Sequence, residues 1–239
     1  MTISGTRRRE EPDWTAVTGE LLAARTIPDA LRVIAETAER LITAADLITV
    51  SLHDHDPVSV PTGQRPVAVA LERAQRVDGG PSTAALDPSG PGFTVSDDLC
   101  HDTRWPHFAA IAGGHGLRAV VSAECRESAA PDHPAGALTV YSRHSGRLTE
   151  HDRRTALVLA SQCSLTLARL RLAEESRLRR ARLLDELEIR DIIGQAAGIL
   201  MHRRGYTAAV ATGMLRQWAA ELDMNLLDLA QTLLELDLS

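Results

Sequence analysis

The run LTEHDRRTALVLASQCSLTLARLRLAEESRLRRARLLDELEIRD, residues 148–191, contains neither proline nor glycine, and the next glycine is Gly194. Those two residues are the strongest breaks in a helical pattern, so Thr149 to Arg204 reads as one helical segment of about 55 residues. At ~1.5 Å per residue it would measure about 80 Å, too long for a lone helix of a globular domain. Its middle, AEESRLRRAR (173–182), is too polar to be buried all round. Leu167, Leu170, Leu178, Ala181, Leu184 and Leu187 could form a seam, and a two-stranded coiled coil, hence a homodimer, is the economical explanation. The other reading is a helix that bends back on its own domain.

Upstream of this segment the pattern is mixed. Residues 1–12 are polar and read as loose. From Trp14 to about Thr43, Val17, Leu21, Leu22, Leu31, Ile34, Ala38 and Leu41 favour helix, with Pro28 marking a break or a new start. DLITVSLHD (46–54), PVAVAL (66–71), FTVSDDL (93–99), LRAVVSAECR (117–126) and GALTVYSR (136–143) are strand candidates. VDGGPSTAALDPSGPG (77–92) must be turns around at most a short helix. TRWPHFAAIAGGHG (103–116) reads as a short helix closed by glycines. Helices at both ends of an antiparallel meander predict an α+β sandwich with the sheet as its spine.

Downstream, the tail of the long helix carries an apolar stripe at Ile189, Ile192, Ile193, Ala196, Ile199 and Leu200. TAAVATGMLRQWAAEL (207–222) has one at Ala211, Met214, Leu215, Trp218 and Leu222, and NLLDLAQTLLELDL (225–238) has one at Leu226, Leu229, Ala230, Leu233 and Leu234. Three amphipathic helices with turns at Gly205 and Asp223–Met224 predict a small three-helix bundle.

Composition limits what such a chain can do. Of 239 residues, 44% are hydrophobic but only 3% aromatic, so aliphatic side chains and alanine must supply the packing. All 26 basic residues are arginine, and the net charge is −6. That balance argues against broad, non-specific nucleic-acid binding while leaving room for a local basic patch. Cys100, Cys125 and Cys163 form no CxxC pair and no disulfide framework, which suits a reducing compartment. MTISGTRRREEPDW has no apolar run after its arginines, and no stretch approaches the ~18 apolar residues of a membrane span. A cytoplasmic location without membrane contact is the expectation.

Residues 189–235 resemble the ANTAR domain, an RNA-binding module of bacterial transcription antiterminators. The resemblance is carried by IGQAAGILM (193–201), Arg204–Gly205, Thr207, Leu215–Arg216 and LDLA (227–230). Residues 14–170 resemble a GAF domain, through DGGPSTAA, Asp97–Asp98–Leu99, Arg104–Trp105–Pro106 and the GAL…YS strand. The second resemblance implies an antiparallel sheet of about six strands, with helices on one side and a cleft for a small-molecule ligand on the other. It does not fix that ligand. Together they imply a GAF-like sensor at 14–165, a helical linker at 166–185 and an ANTAR domain at 186–239, after a disordered stretch at 1–13.

ANTAR domains typically carry basic residues where this chain has Ala197, Gln217 and Asn225, and an aromatic where it has Thr212. Arg203, Arg204 and Arg216 remain as cations, with Gln195 as a neutral donor and acceptor; these four are the candidate RNA contacts. The arginines also suit a purely solvating role at helix ends, and His202 adds a charge only below its pKa. From Glu186 to Ser239 four arginines face eight carboxylates, a net −4. A charge-assisted hydrogen bond is worth ~1.5–3 kcal/mol, so three lost phosphate contacts would cost about 4 kcal/mol or more. Ala197 is expected on an outward stripe with Gly194 and Met201, where small residues would admit a second helix.

Other chemistry is weakly signalled. Cys100–His101, with Asp98 and Asp102 nearby, reads as an ordinary loop, because sequence neighbours rarely converge on a metal alone. HDHD (53–56) reads as a solvated turn. There is no Walker loop, GxSxG or HExxH, and Ser82 stands where relatives of the GAF domain often carry a cysteine. No catalytic residue, metal or cofactor is expected. Trp105 and Trp218 are expected in cores. The function implied is a signal-responsive antitermination regulator that binds RNA hairpins; the alternative is a degenerate bundle used for dimerisation or protein contact.

Overall fold

The computed structural model describes residues 13–53, 59–62, 65–126 and 135–237. The chain divides into two compact units, one ending at Leu172 and the other beginning at Ala173. Residues 1–12 and the Asp54–Asp56 part of HDHD lie outside the described residues.

The first unit opens with α1 (Trp14–Ala23) and α2 (Ile27–Leu41). Asp13 caps α1 by accepting from the Thr15 and Ala16 amides, and Thr26 caps α2 by accepting from the Asp29 amide. Pro28 sits in the first turn of α2, where its missing N–H costs nothing. Then follow β1 (Leu47–His53), β2 (Ser59–Thr62), α3 (Arg65–Asp78), α4 (Pro81–Ala85), β3 (Phe93–Ser96), α5 (Pro106–Gly114), β4 (Ala119–Arg126) and β5 (Ala135–Ser142). The strands form one antiparallel sheet in the order β2-β1-β5-β4-β3.

Strand alternation gives the sheet two buried faces. Ile48, Val50, Val121, Ala123, Cys125, Leu138 and Val140 face α1 and α2, together with Ala156, Leu159, Ala160, Cys163 and Leu167 of the long helix α6 (Glu150–Arg204). Leu47, Val120 and Tyr141 face the other way, onto Ala68 and Leu71 of α3 and Phe108 and Ala112 of α5, with Trp105 beside them. Thr149 starts α6 through a reciprocal cap. Its Oγ1 accepts from the Asp152 amide at 3.3 Å, and Asp152 Oδ2 accepts from the Thr149 amide at 2.9 Å.

Three sequence expectations need correction. PVAVAL (66–71) is the start of helix α3 rather than a strand. Its Val/Ala alternation mimics period 2, but Ala68, Leu71, Glu72, Ala74 and Gln75 are buried at helical spacing and Val69 is exposed. The edge strand beside β1 is the short SVPT of β2, whose Pro61 is tolerated because β2 is a sheet edge. The described sheet therefore has five strands. Leu167, placed in the coiled-coil seam, belongs instead to the core of the first unit.

An 18-residue window of α6 is apolar enough, by composition alone, to cross a membrane, and a third of that window is buried. Packing of Ala156, Leu159, Ala160, Cys163 and Leu167 on the sheet accounts for its apolar face. Arg169 then ties α6 to the end of α1, its Nη2 donating to the Leu21 carbonyl at 3.2 Å and the Ala24 carbonyl at 2.8 Å.

The second unit holds the rest of α6, α7 (Ala208–Glu221) and α8 (Leu226–Asp237). Ala196, Ala197, Leu200, Ala211, Leu215, Ala219, Leu229 and Ala230 form its core, with Trp218 packed at the margin. Gly205, at φ +67°, ends α6 in the left-handed conformation that glycine adopts without strain. Thr207 Oγ1 then caps α7 by accepting from the Val210 amide at 3.4 Å.

Candidate RNA interface and sensor cleft

The four candidate RNA contacts are all exposed. Arg203 and Arg204 occupy the last turn of α6, where cations also oppose the negative end of the helix dipole. Gln195 and Arg204 are nine residues apart on a continuous helix. At ~100° per residue that is about half a turn, so they lie on opposite sides of α6. Arg216 projects from the exposed side of α7. Arg203 and Arg204 are thus neighbours, while Gln195 stands apart from Arg204.

The replaced positions have local structural roles. Ala197 is only 5% exposed and belongs to the bundle core, so it is not on the outward stripe expected from its spacing. Gly194 and Met201, its supposed companions, are exposed. The bundle core spans both Ala196 and Ala197, which lie ~100° apart, because α7 and α8 together cover a broad sector of α6. Gln217 Nε2 donates to Glu221 Oε1 at 2.7 Å, one turn along α7. Asn225 Oδ1 accepts from the Leu227 amide at 2.9 Å and so caps α8. Thr212 Oγ1 donates back to the Ala208 carbonyl at 2.9 Å.

The helix between the two cores is bare. Every residue from Leu172 to Asp191 is exposed, including Leu178, Leu183, Leu184 and Leu187. Burying a leucine is worth ~1.5–3 kcal/mol, so this stretch holds apolar surface that its own chain leaves uncovered.

In the first unit, the sheet face beneath α3 and α4 carries a buried polar layer that sequence reading missed. Thr49 and Ser51 of β1, Ser122 of β4 and Thr139 of β5 are all buried there. Thr49 Oγ1 donates to Glu72 Oε1 at 3.2 Å, Gln75 Nε2 donates to the Tyr141 hydroxyl at 3.3 Å, and Gln75 Oε1 accepts from the Ser82 amide at 2.7 Å. The hydroxyls of Ser51 and Ser82 have no hydrogen-bond partner among the described residues. Burial, and then the nearby Glu72 carboxylate, pushes the Tyr141 phenol well above its ordinary value. The available signal was Glu72 and Gln75 at helical spacing with Ala68 and Leu71, hidden by reading 66–71 as a strand.

An open cleft of about 830 Å³ in this unit is lined by Cys100, His101, Pro106, Ala109 and Arg118 among others. A smaller one of about 420 Å³ adjoins it, sharing His101, Asp102 and Thr103. The Arg118 guanidinium donates to Cys100 Sγ. Hydrogen bonds from Arg104 hold the Asp102 carboxyl at a pKa of about 2, and His101 lowers that of Asp98. Cys125 and Cys163 are fully buried. The neighbouring Cys163 thiol, and then burial, push the Cys125 thiol well above its ordinary value, which makes it a poor nucleophile. Among the described residues no three His, Cys, Asp or Glu side chains are grouped to hold a metal ion.

The family model of the ANTAR domain matches residues 181–234, which are thus an ANTAR domain. Among solved structures, the bacteriophytochrome RpBphP3 from R. palustris is similar at 14% identity and a TM-score of 0.56. That alignment covers 87% of this chain and 47% of the bacteriophytochrome chain, so this chain spans about half the length of that relative. The GAF domain of an Acinetobacter phosphoenolpyruvate-protein phosphotransferase is similar at 12% identity and a TM-score of 0.47, over 67% of this chain and 94% of that one. The cyanobacteriochrome TePixJ GAF domain is similar at 16% identity and a TM-score of 0.48, over 64% of this chain and 95% of that one. No curated protein matches the chain. The architecture is α+β, with a five-stranded antiparallel sheet unit, similar in fold to the bacteriophytochrome, followed by an ANTAR domain.

Proposed function

We propose that this chain is a signal-responsive, cytoplasmic transcription antitermination regulator that acts as a homodimer and binds RNA hairpins. A sensor at about 14–165 is joined by a linker at 166–185 to an output domain at 186–239. The observation that carries the reading is the ANTAR match over a complete three-helix bundle with Arg203, Arg204 and Arg216 on its surface. Phosphate contacts from those arginines and base contacts from Gln195 would hold a stem–loop of a nascent transcript and so prevent a terminator from forming. The exposed leucines of α6 support self-association, which would let two modules grip paired hairpins through effective concentration. A small molecule held against the buried polar layer under α3 is the signal this reading requires.

A second reading is favoured by the replaced positions. With Ala197 in the core, Gln217 paired to Glu221 and Asn225 capping α8, the bundle is built to stand without the usual cations. It would then serve dimerisation or protein contact without RNA. Binding of the full chain to a synthetic RNA of two tandem stem–loops, at two salt concentrations and beside Arg203→Ala/Arg204→Ala, separates the two. Salt-sensitive binding that the double variant loses is the expected result. Binding by the parent no stronger than by the variant overturns the RNA reading.

A further inference from the structure

Half of the arginines of the second unit lie within six residues. From Ala173 onward the chain has eight arginines and eleven carboxylates, and four of those arginines are Arg177, Arg179, Arg180 and Arg182, with no acid among them. The whole band is exposed, on the stretch of α6 that neither core covers. Arg177 is engaged by Glu174 at 2.7 Å. Arg179, Arg180 and Arg182 enter no ion pair among the described residues.

Geometry narrows what such a band can hold. On a helix rising ~1.5 Å and turning ~100° per residue, the three guanidinium groups fall within about one turn and spread over nearly half the circumference. All three are exposed on the convex surface of a helix, where a small anion could not meet them together. An extended polyanion wrapping the helix would meet all three. The band also adjoins the ANTAR domain without a break, since the match begins at residue 181, inside it. In the bundle itself, residues 186–239 carry only four arginines against eight carboxylates, so an RNA seated there would meet as many arginines again by continuing upstream.

We propose that Arg179, Arg180 and Arg182 bind RNA phosphates and extend the interface from the bundle onto the linker helix. This rests on the RNA-binding reading above. The contacts position the RNA and carry no sequence preference of their own.

The test uses the full chain and the tandem stem–loop RNA, with the slope of log K against log salt as readout. Four proteins are compared: the parent, Arg179→Ala/Arg180→Ala/Arg182→Ala, the matching triple Arg→Lys variant, and Arg203→Ala/Arg204→Ala. Each phosphate contact contributes ~0.7–0.9 to the slope. The Ala band variant is expected to lose about 2 from the slope and at least tenfold in affinity near 0.1 M salt, while the Lys variant keeps both. A parent that binds and a band variant with an unchanged slope overturn this proposal and leave the RNA reading standing. Equal loss in the Ala and Lys variants also overturns it, since charge is then not what acts. A parent that does not bind overturns the RNA reading and this proposal with it.

Discussion

Ala196 and Ala197 are one step apart on α6, and that step decides what a lysine would do at either. Ala196 is fully buried at the centre of the bundle, whereas Ala197 keeps 5% exposure at the flank nearest Gly194 and Met201. A Cβ added at Gly194 would meet nothing within 4 Å, so the space beside Ala197 is open. A lysine stem at 197 can run out along this flank with its ammonium in water. At 196 it would bury a charge or displace the core. Ala197→Lys is therefore expected to cost about 1 kcal/mol or less, and Ala196→Lys about 3 kcal/mol or more, as read from urea unfolding followed by circular dichroism. Equal losses would contradict the flank placement. Nothing in the sequence alone separates these two alanines: the stripe 192, 193, 196, 199, 200 leaves 197 outside, and only the breadth of the α7–α8 contact brings it in. Gln217 and Asn225 were similarly legible as missing cations but not as a pairing and a cap, because both roles depend on where α7 ends and α8 begins.

At the level of elements, α6 was the most legible feature, since a segment of that length without proline or glycine has few other conformations. What it does along its length was less so. Its first third is core and its last third is bundle, and the sequence signals both as apolar spacing. The exposed middle is where the proposed homodimer would place its partner helix. Leu184 and Leu187 are 59% and 56% exposed in the single chain, at i,i+3 spacing on one side of the helix. Leu184→Glu/Leu187→Glu is expected to leave helix content and both cores unchanged while turning a dimer into a monomer in sedimentation equilibrium. A variant that stays dimeric would place the self-association surface elsewhere. α3 marks the opposite limit of legibility. PVAVAL satisfies a strand pattern over six residues, and only the continuation LERAQRVD, with Leu71, Ala74 and Gln75 buried in register, makes it a helix. Short apolar runs are ambiguous until their neighbours are counted, and this one concealed Glu72 and the polar layer it faces.

Across the whole chain, two units with separate cores share one unbroken helix. Arg169 is tied to the first unit by hydrogen bonds to the Leu21 and Ala24 carbonyls, and Ile192 is packed against the bundle. Between them, nothing from Leu172 to Asp191 is buried in either core. A break in this interval should therefore act on whatever passes along the helix and on little else. Ser176→Pro removes the amide of residue 176 and sets its ring against the carbonyl of Leu172, at a local cost of ~3 kcal/mol. Because that cost falls on exposed helix, both units should keep their unfolding transitions, with ellipticity lower by about one turn of helix; Ser176→Ala is the control. If continuity of α6 aligns two copies, the proline variant will self-associate more weakly, and its affinity for the tandem stem–loop RNA will fall at least tenfold through lost effective concentration. Affinity for an RNA of one stem–loop, which a single module can hold, should change much less. Equal losses on both RNAs would mean that the break had damaged the bundle itself. No loss on either, with self-association intact, would mean that the linker is a tether rather than the element that couples the units.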